Sequence, residues 1–132
     1  MSARRTISAV FALTSLCGLA ACGSNPVTSA TTVRAGVGAL GDDEVATYEY
    51  VVPYGTSVRI DQGQLVDIMP RLLEVKVNQS IRIRNRDGRD YTIGPFFVGA
   101  GQTLAMRFTH EGQLSGMCTM NPEGEFLIKV SK

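Results

Sequence analysis

The chain has 132 residues, with 13 Lys and Arg against 12 Asp and Glu, one His and three Cys. Its formal net charge of +1 is too small for the strong basic field of a nucleic-acid-binding protein, so nucleic acid is not an expected partner. A single histidine makes a Ser-His-Asp set implausible, and no paired carboxylates, phosphate loop or zinc motif stands out. We therefore expect no enzyme activity.

Residues 1–21 are predicted to be an export signal. Arg4 and Arg5 precede a mostly apolar stretch from residue 7 to residue 21, which is shorter than the ~20 residues that a membrane-spanning helix needs. The stretch ends in Leu19-Ala20-Ala21-Cys22 and resembles the lipobox of bacterial lipoproteins. The resemblance implies cleavage before Cys22 and a diacylglyceryl group on that cysteine. A lipid-modified cysteine anchors the protein at the extracytoplasmic side of a cell membrane.

Two alternatives stay open for this segment. Cys22 could simply follow the cleavage site of a soluble secreted protein, and Arg4 with Arg5 leaves both the general and the twin-arginine export routes open. Removal of the signal takes away Cys17 and leaves eleven basic side chains against twelve acidic ones. Cys118 then has no partner in its own domain, so no internal disulfide is expected.

Residues 22–44 contain few large apolar side chains and are predicted to be a flexible tether. From residue 45 to residue 132 the pattern changes to an alternation of apolar and polar side chains, which is typical of strands that bury one face. The clearest apolar sets are Leu73, Val75 and Val77; Ile81 and Ile83; Leu104, Met106 and Phe108; and Phe126, Ile128 and Val130. Turn residues separate these runs at short intervals, which predicts seven or eight strands in one β-sandwich.

The stretch from Pro70 to Val130 resembles a cupredoxin domain, and most closely the cupredoxin-like lipoproteins of actinobacteria. The residues that carry the resemblance are 73–77, 81–87, 94–103, Phe108, Gly112 and Cys118-Thr119-Met120-Asn121-Pro122. The resemblance implies an all-β, cupredoxin-like Greek-key sandwich. In that family a blue copper ion is bound by a Cys, two His and a weak axial Met.

This chain departs from the family at the ligand positions. The first His position falls on Tyr91 and the second on Asn121, so Cys118 is the one family ligand that remains, and no Met stands at the axial position near Gly124. A phenol must lose a proton of pKa about 10 before it binds copper well, and a carboxamide is a weak donor. We therefore expect no copper, with Tyr91, Cys118 and Asn121 as degenerate ligand positions.

Other residues are candidate ligands or parts of candidate contact surfaces. Met117 and Met120 flank Cys118, but neighbours along a strand point to opposite faces, so Met117 and Cys118 should diverge and core packing is favoured for the methionines. His110 is expected to lie in a turn, too far from Cys118 to share a metal. One surface feature is a basic strand face of Arg82, Arg84 and Arg86 next to Arg89. This face is either a site for an anionic partner or merely solvated. A second feature is an apolar lip at Phe96 and Phe97, and at least one of these two residues should be in the core.

These observations predict a membrane-anchored cell-envelope lipoprotein whose cupredoxin-like domain is a non-enzymatic binding or accessory module. Its expected contacts are the membrane, through the lipid on Cys22, and an envelope protein that the sequence does not identify. Two alternatives are a copper-binding electron-transfer or copper-handling protein that uses Cys118 with non-standard ligands, and a thiol redox module that acts through Cys118.

Overall fold

The computed structural model describes residues 34–132. The predicted signal peptide, the lipidation site Cys22 and the tether up to residue 33 lie outside these residues. The described chain contains one short helix, α1 (Thr56–Asp61), and nine strands: β1 (Gly36–Ala39), β2 (Tyr48–Val52), β3 (Leu72–Lys76), β4 (Ser80–Asn85), β5 (Tyr91–Ile93), β6 (Phe96–Val98), β7 (Thr103–His110), β8 (Gly112–Cys118) and β9 (Asn121–Ser131).

The strands form two sheets, with the orders β1-β7-β4-β2 and β3-β9-β8-β5-β6. Most neighbours are antiparallel, whereas β2–β4 and β3–β9 are parallel. The chain changes sheet after β2, β3, β4, β6 and β7, so strands that follow each other in sequence are seldom neighbours, as in Greek-key folds. The prediction of an all-β sandwich is confirmed.

The core lies between the two sheets and contains the apolar faces predicted from the alternation. Ile81, Ile83, Phe108 and Ile128 are completely buried, while Lys129 in β9 is exposed. Two sheets packed face to face exclude water from one side of each strand, which explains why alternate residues are apolar.

The boundary predicted between tether and domain is wrong for residues 34–44. Strand β1 pairs with β7 in an antiparallel register from Gly36–His110 to Ala39–Met106, and both Ala35 and Leu40 are buried. The scarcity of large side chains in this segment favours a tether when the sequence alone is considered. A Cβ at Gly36 would lie 2.5 Å from Nδ1 of the exposed His110 side chain, which would have to move to accommodate a larger residue.

The arginines of β4 do not form the basic face that their spacing indicated. The Arg82 guanidinium is buried and donates hydrogen bonds to the carbonyl oxygens of Gly41 (2.9 Å) and Glu44 (2.8 Å). Arg84 forms an ion pair with Glu49 at 2.9 Å. Arg82 therefore holds the loop 41–44 against the sheet rather than contacting an anionic partner.

Helix α1 was not predicted, because six residues are too few to show a helical period. It follows Gly55, whose φ of 82° favours glycine. Thr56 is buried and the half-buried Ile60 packs against the core, whereas Val58 is exposed. Within residues 34–132, the structure has no helix with the length and apolar character needed to cross a membrane.

Candidate functional site

The degenerate ligand positions lie at one end of the second sheet. Tyr91 begins β5, Cys118 ends β8 and Asn121 begins β9. Ile93 of β5 is paired with Cys118, and Cys118 is also paired with Asn121 across the turn that joins β8 to β9. Directly paired residues place their side chains on the same face of a sheet, so the fold brings Ile93, Cys118 and Asn121 together.

An irregularity in β9 opens this end of the sheet. Met117 is paired with Glu125, whereas the next residue, Cys118, is paired with Asn121. Residues 122–124 therefore have no opposite residue on β8 and form a bulge, a feature that locally bends a strand. The bulge separates the first residue of β9 from the regular ladder and leaves space beside Cys118.

That space is a small cavity between the β8–β9 hairpin and the segment that enters β3. It is lined by Val66, Asp67, Ile68, Met69, Arg71, Ile93, Cys118, Met120, Asn121, Gly124, Glu125 and Phe126. The volume open to the centre of a water-sized sphere is about 20 Å³, enough for roughly one guest the size of a water molecule. We call this space the hairpin cavity.

Three sulfur-containing residues, Met69, Cys118 and Met120, line the hairpin cavity. Met69 and Met120 are buried, and Cys118 is half-buried, free of disulfide bonds and packed against the core. Met117 is 60% exposed and does not line the cavity, so the prediction that Met117 and Cys118 diverge is confirmed. The sequence does not single out Met69, because nothing in its local pattern relates it to Cys118.

Asn121 adds a polar atom to the same wall. Its Oδ1 atom is buried and accepts no hydrogen bond within the part of the chain that the structure describes. Buried polar groups are nearly always paired, and an unpaired one costs about 1–3 kcal/mol. A cavity of this size can hold one water molecule, which would donate a hydrogen bond to this oxygen.

Tyr91 belongs to a different network. Its side chain is buried, and its hydroxyl donates a hydrogen bond to Oδ2 of Asp87 at 2.6 Å. Asp87 is also buried, and it accepts the backbone N–H groups of Gly55 (3.0 Å) and Ser57 (2.7 Å) at the start of α1. The phenol thus serves as a donor that ties β5 to the helix, and it does not line the hairpin cavity.

The protonation states of this pair follow from its surroundings. Burial raises the pKa of the Tyr91 phenol, and the hydrogen bond to the Asp87 carboxylate raises it further, to about 12. Burial alone would raise the pKa of Asp87, but the hydrogen bonds from Tyr91, Ser57 and Gly88 outweigh it and hold that pKa well below its usual value. Tyr91 is therefore a neutral phenol and Asp87 a carboxylate at neutral pH.

Asn85, at the end of β4, fixes the loop that carries Asp87. Its Nδ2 group donates hydrogen bonds to the carbonyl oxygens of Arg89 (2.7 Å), Val98 (3.1 Å) and Gly99 (3.1 Å). Its Oδ1 atom accepts the backbone N–H of Asp87 at 3.0 Å. This buried amide links β4 to the end of β6.

The donor set does not suit a blue copper ion, whose two imidazoles and thiolate must converge. The single histidine of the sequence, His110, ends β7, and β8 then extends from Gly112 to Cys118 at the opposite end of the strand. Residues 34–132 contain no cluster of three or more His, Cys, Asp or Glu side chains with metal-binding geometry.

No protein-family model and no curated protein matches this chain. Among solved structures, an amicyanin variant in its Cu(I) form is 16% identical, with a TM-score of 0.45, over 74% of this chain and 98% of that one. A purple cupredoxin from Nitrosopumilus maritimus is 20% identical, with a TM-score of 0.43, over 64% of this chain and 99% of that one. At these values the similarity carries no information on ligands or activity, which must come from the residues of this chain.

The aromatic pair after Pro95 divides as predicted. Phe96 is buried in the core, and Phe97 on the opposite face of β6 is 62% exposed. The prediction that at least one of the two belongs to the core is confirmed. Phe97 stands opposite Thr92 in the ladder between β5 and β6.

Proposed function

We propose that this chain is an exported, lipid-anchored, cupredoxin-like module of the cell envelope that binds a ligand or a partner, performs no catalysis and has no blue copper centre. One observation supports the absence of a blue copper centre. Tyr91 occupies the position of the cupredoxin family's first histidine ligand, and its hydroxyl donates a hydrogen bond to Oδ2 of Asp87 at 2.6 Å. Tyr91 does not line the cavity that contains Cys118.

The position of the sandwich in the chain supports attachment close to a membrane. Residues 22–33, which connect the predicted lipidation site to the described domain, span at most about 40 Å when fully extended. A lipid on Cys22 would therefore hold the sandwich within that distance of the bilayer. Two or more acyl chains on one cysteine give durable attachment, since each buried methylene contributes about 0.8 kcal/mol.

The absence of a blue copper centre is tested by the visible spectrum. The processed protein, incubated with Cu(II), should show no intense charge-transfer band from thiolate to Cu(II), because Cys118 has no imidazole beside it. The Cys118→Ser variant is the matched control, and its spectrum with Cu(II) should equal that of the wild type. A blue or purple wild-type protein whose colour disappears in Cys118→Ser would overturn the proposal.

Membrane anchoring is tested separately by Cys22→Ala. Without the thiol no lipid can be attached, and the lipoprotein signal peptidase should leave the precursor uncleaved. Mass spectrometry and detergent partitioning of cell envelopes measure both effects, and Cys17→Ala is the matched control, which should be processed like the wild type. Normal processing and membrane retention of Cys22→Ala would contradict lipid attachment at this residue.

A further inference from the structure

We propose that one end of the sandwich lies on an anionic phospholipid surface, so that the lipid anchor and the folded domain contact the same membrane. The inference rests on the proposed function, because it takes the lipid on Cys22 from there and adds the orientation of the domain. Two features point to this orientation: the place where the chain enters the fold, and the distribution of charged side chains along the sandwich.

The chain enters the sandwich from the end at which β8 begins. Arg34 forms a parallel bridge with Gln113, and β8 extends from Gly112 to Cys118, so the chain at Arg34 runs away from Gly112. Strand β1 continues from this end, since its first residue, Gly36, is paired with the last residue of β7, His110. The tether from the predicted lipid therefore joins the domain at this end.

The two ends of the sandwich are defined by the strand termini that meet there. Strands β2, β4 and β8 begin where β3, β7 and β9 end. We define the tether end as Arg34 and residues 44–48, 74–80, 107–113 and 129–132. The far end contains α1, Asp87, Cys118 and the hairpin cavity.

Basic side chains outnumber acidic ones at the tether end. The basic residues are Arg34, Lys76, Arg107, Lys129 and Lys132, and the acidic residues are Glu44, Glu74 and Glu111. Two of the acids are neutralised by ion pairs, Arg107 with Glu44 and Lys132 with Glu111. The third, Glu74, stands opposite Lys129 in the ladder between β3 and β9. An excess of positive charge therefore remains where the tether joins the domain.

Three of these basic side chains are free to contact an anionic partner. Arg34, Lys76 and Lys129 are exposed, and none of them forms an ion pair within residues 34–132. Lys76 and Lys129 also line one shallow groove on the outer face of the second sheet. Long, exposed and unpaired basic side chains of this kind can reach lipid headgroups without loss of an internal contact.

The far end has no excess of positive charge. Its basic residues are Arg59, Arg71, Arg86 and Arg89, and its acidic residues include Asp61, Asp67, Asp87, Asp90 and Glu125. Strand β7 contains eight residues and spans about 26 Å at ~3.3 Å per residue. Charges are screened over about 8 Å at physiological ionic strength. An anionic surface therefore attracts the tether end and leaves the far end in solution.

The attraction is sufficient because the domain is already held near the bilayer. A Lys or Arg close to an anionic membrane surface contributes about five-fold to binding, and the tether of at most about 40 Å keeps the local concentration of lipid high. Docking of the tether end leaves the hairpin cavity and the exposed Tyr54 directed away from the membrane. An envelope partner would then meet the far end.

Single tryptophans measure which end contacts the bilayer. The sequence has no Trp, and two exposed side chains give matched positions: Val45 at the tether end is 91% exposed and Tyr54 next to α1 is 87% exposed. The processed lipoproteins with Val45→Trp or Tyr54→Trp are reconstituted in phosphatidylglycerol vesicles that contain a lipid with a nitroxide on its headgroup. Val45→Trp should lose most of its fluorescence, and Tyr54→Trp should retain it. Equal quenching of both, or stronger quenching of Tyr54→Trp, would overturn the proposal.

The charge of the lipid provides the next test. In phosphatidylcholine vesicles, or at about 1 M salt, where charges are screened over ~3 Å, the quenching of Val45→Trp should fall to the level of Tyr54→Trp. Quenching of Val45→Trp that is the same with both lipids would contradict docking through basic side chains.

Charge variants identify the residues responsible. Lys76→Gln combined with Lys129→Gln, in the Val45→Trp protein, should lower the ratio of docked to undocked domain about 25-fold, or about five-fold for each charge. Arg59→Gln combined with Arg86→Gln is the matched control, because both arginines are exposed at the far end and form no ion pair within residues 34–132. Equal losses in the two double variants would contradict a contact specific to the tether end.

The same samples separate this inference from the proposed function. Mass spectrometry shows whether Cys22 carries the lipid, and an unmodified Cys22 would contradict both. A lipidated protein whose Val45→Trp variant is not quenched would overturn the orientation alone. The competing occupant of the tether end is a second copy of the chain. Amine cross-links between the lysines of two copies in detergent without phospholipid would assign the surface to a dimer and overturn the proposal.

Discussion

Replacement of Asp87 by alanine should lower the free energy of unfolding by roughly 3–5 kcal/mol. The carboxylate accepts hydrogen bonds from the N–H groups of Gly55 and Ser57 and from the hydroxyl of Tyr91. Its removal leaves all three donors buried or partly buried without an acceptor. Chemical denaturation of the wild type and the variant at neutral pH measures the difference.

Asp90 provides a matched control, because it lies three residues away and also accepts a backbone hydrogen bond, from Ala100 at 2.7 Å. Asp90 is exposed, so water can satisfy the N–H group that the control variant frees. Asp90→Ala should therefore cost about 1 kcal/mol or less. Equal losses in Asp87→Ala and Asp90→Ala would show that burial of the Asp87 carboxylate contributes nothing to stability.

The same network sets the pH range of stability. The folded-state pKa of Asp87 is depressed, so its contribution is present above the unfolded-state value of about 4 and is lost as the pH falls through the folded-state pKa. The pKa of Tyr91 is raised to about 12, so its contribution is complete below about pH 10 and is lost as the pH rises towards 12. The difference between wild type and Asp87→Ala should therefore shrink below about pH 4.

Replacement of Gly116 by alanine should lower the free energy of unfolding by about 3 kcal/mol. A Cβ at this position of β8 would lie 2.3 Å from the carbonyl oxygen and 2.5 Å from the carbonyl carbon of Gly94. Those atoms belong to the backbone and cannot move aside by a change of rotamer. Relief of the contact must separate β8 from the turn after β5, next to the paired residues Ile93 and Cys118.

Gly88→Ala is the matched control for this prediction. A Cβ at Gly88 would meet no atom within 4 Å, and its backbone does not adopt a positive φ. The substitution should therefore be neutral or should stabilise by about 0.4–1 kcal/mol, because alanine reduces the freedom of the unfolded chain. Thermal and chemical denaturation of both variants test the pair, and a Gly116→Ala protein as stable as Gly88→Ala would contradict the close approach of β8 to Gly94.

The strands were predictable from the sequence because each one buries a single face. Alternation marked β3, β4, β7 and β9 and identified their inward residues, such as Ile83 and Phe108. In segments without alternation the sequence pattern did not predict the secondary structure. Strand β1 consists of small residues that carry no apolar pattern, and α1 is too short to show a helical period.

Contacts between distant segments account for what the sequence did not reveal. The spacing of Arg82 and Arg84 indicated a basic face, because strand alternation predicts the face on which a side chain lies but not the groups that it contacts. Arg82 is in fact enclosed by the loop 41–44, about forty residues earlier in the chain. For the same reason, the resemblance to cupredoxins placed Tyr91 at a ligand position, while its hydrogen bond to Asp87 could not be foreseen from the sequence.

By itself the sequence determined the alternating strands of an all-β sandwich and the departure from the histidines that blue copper requires, because periodicity and residue type are local properties. It also carries the whole basis for the predicted lipid anchor at Cys22, which lies outside the described residues. Only the tertiary structure decided which distant segments enclose the hairpin cavity. Met69 lines it because β3 pairs in parallel with β9, and a pairing between strands some fifty residues apart leaves no trace in the local sequence pattern of either strand.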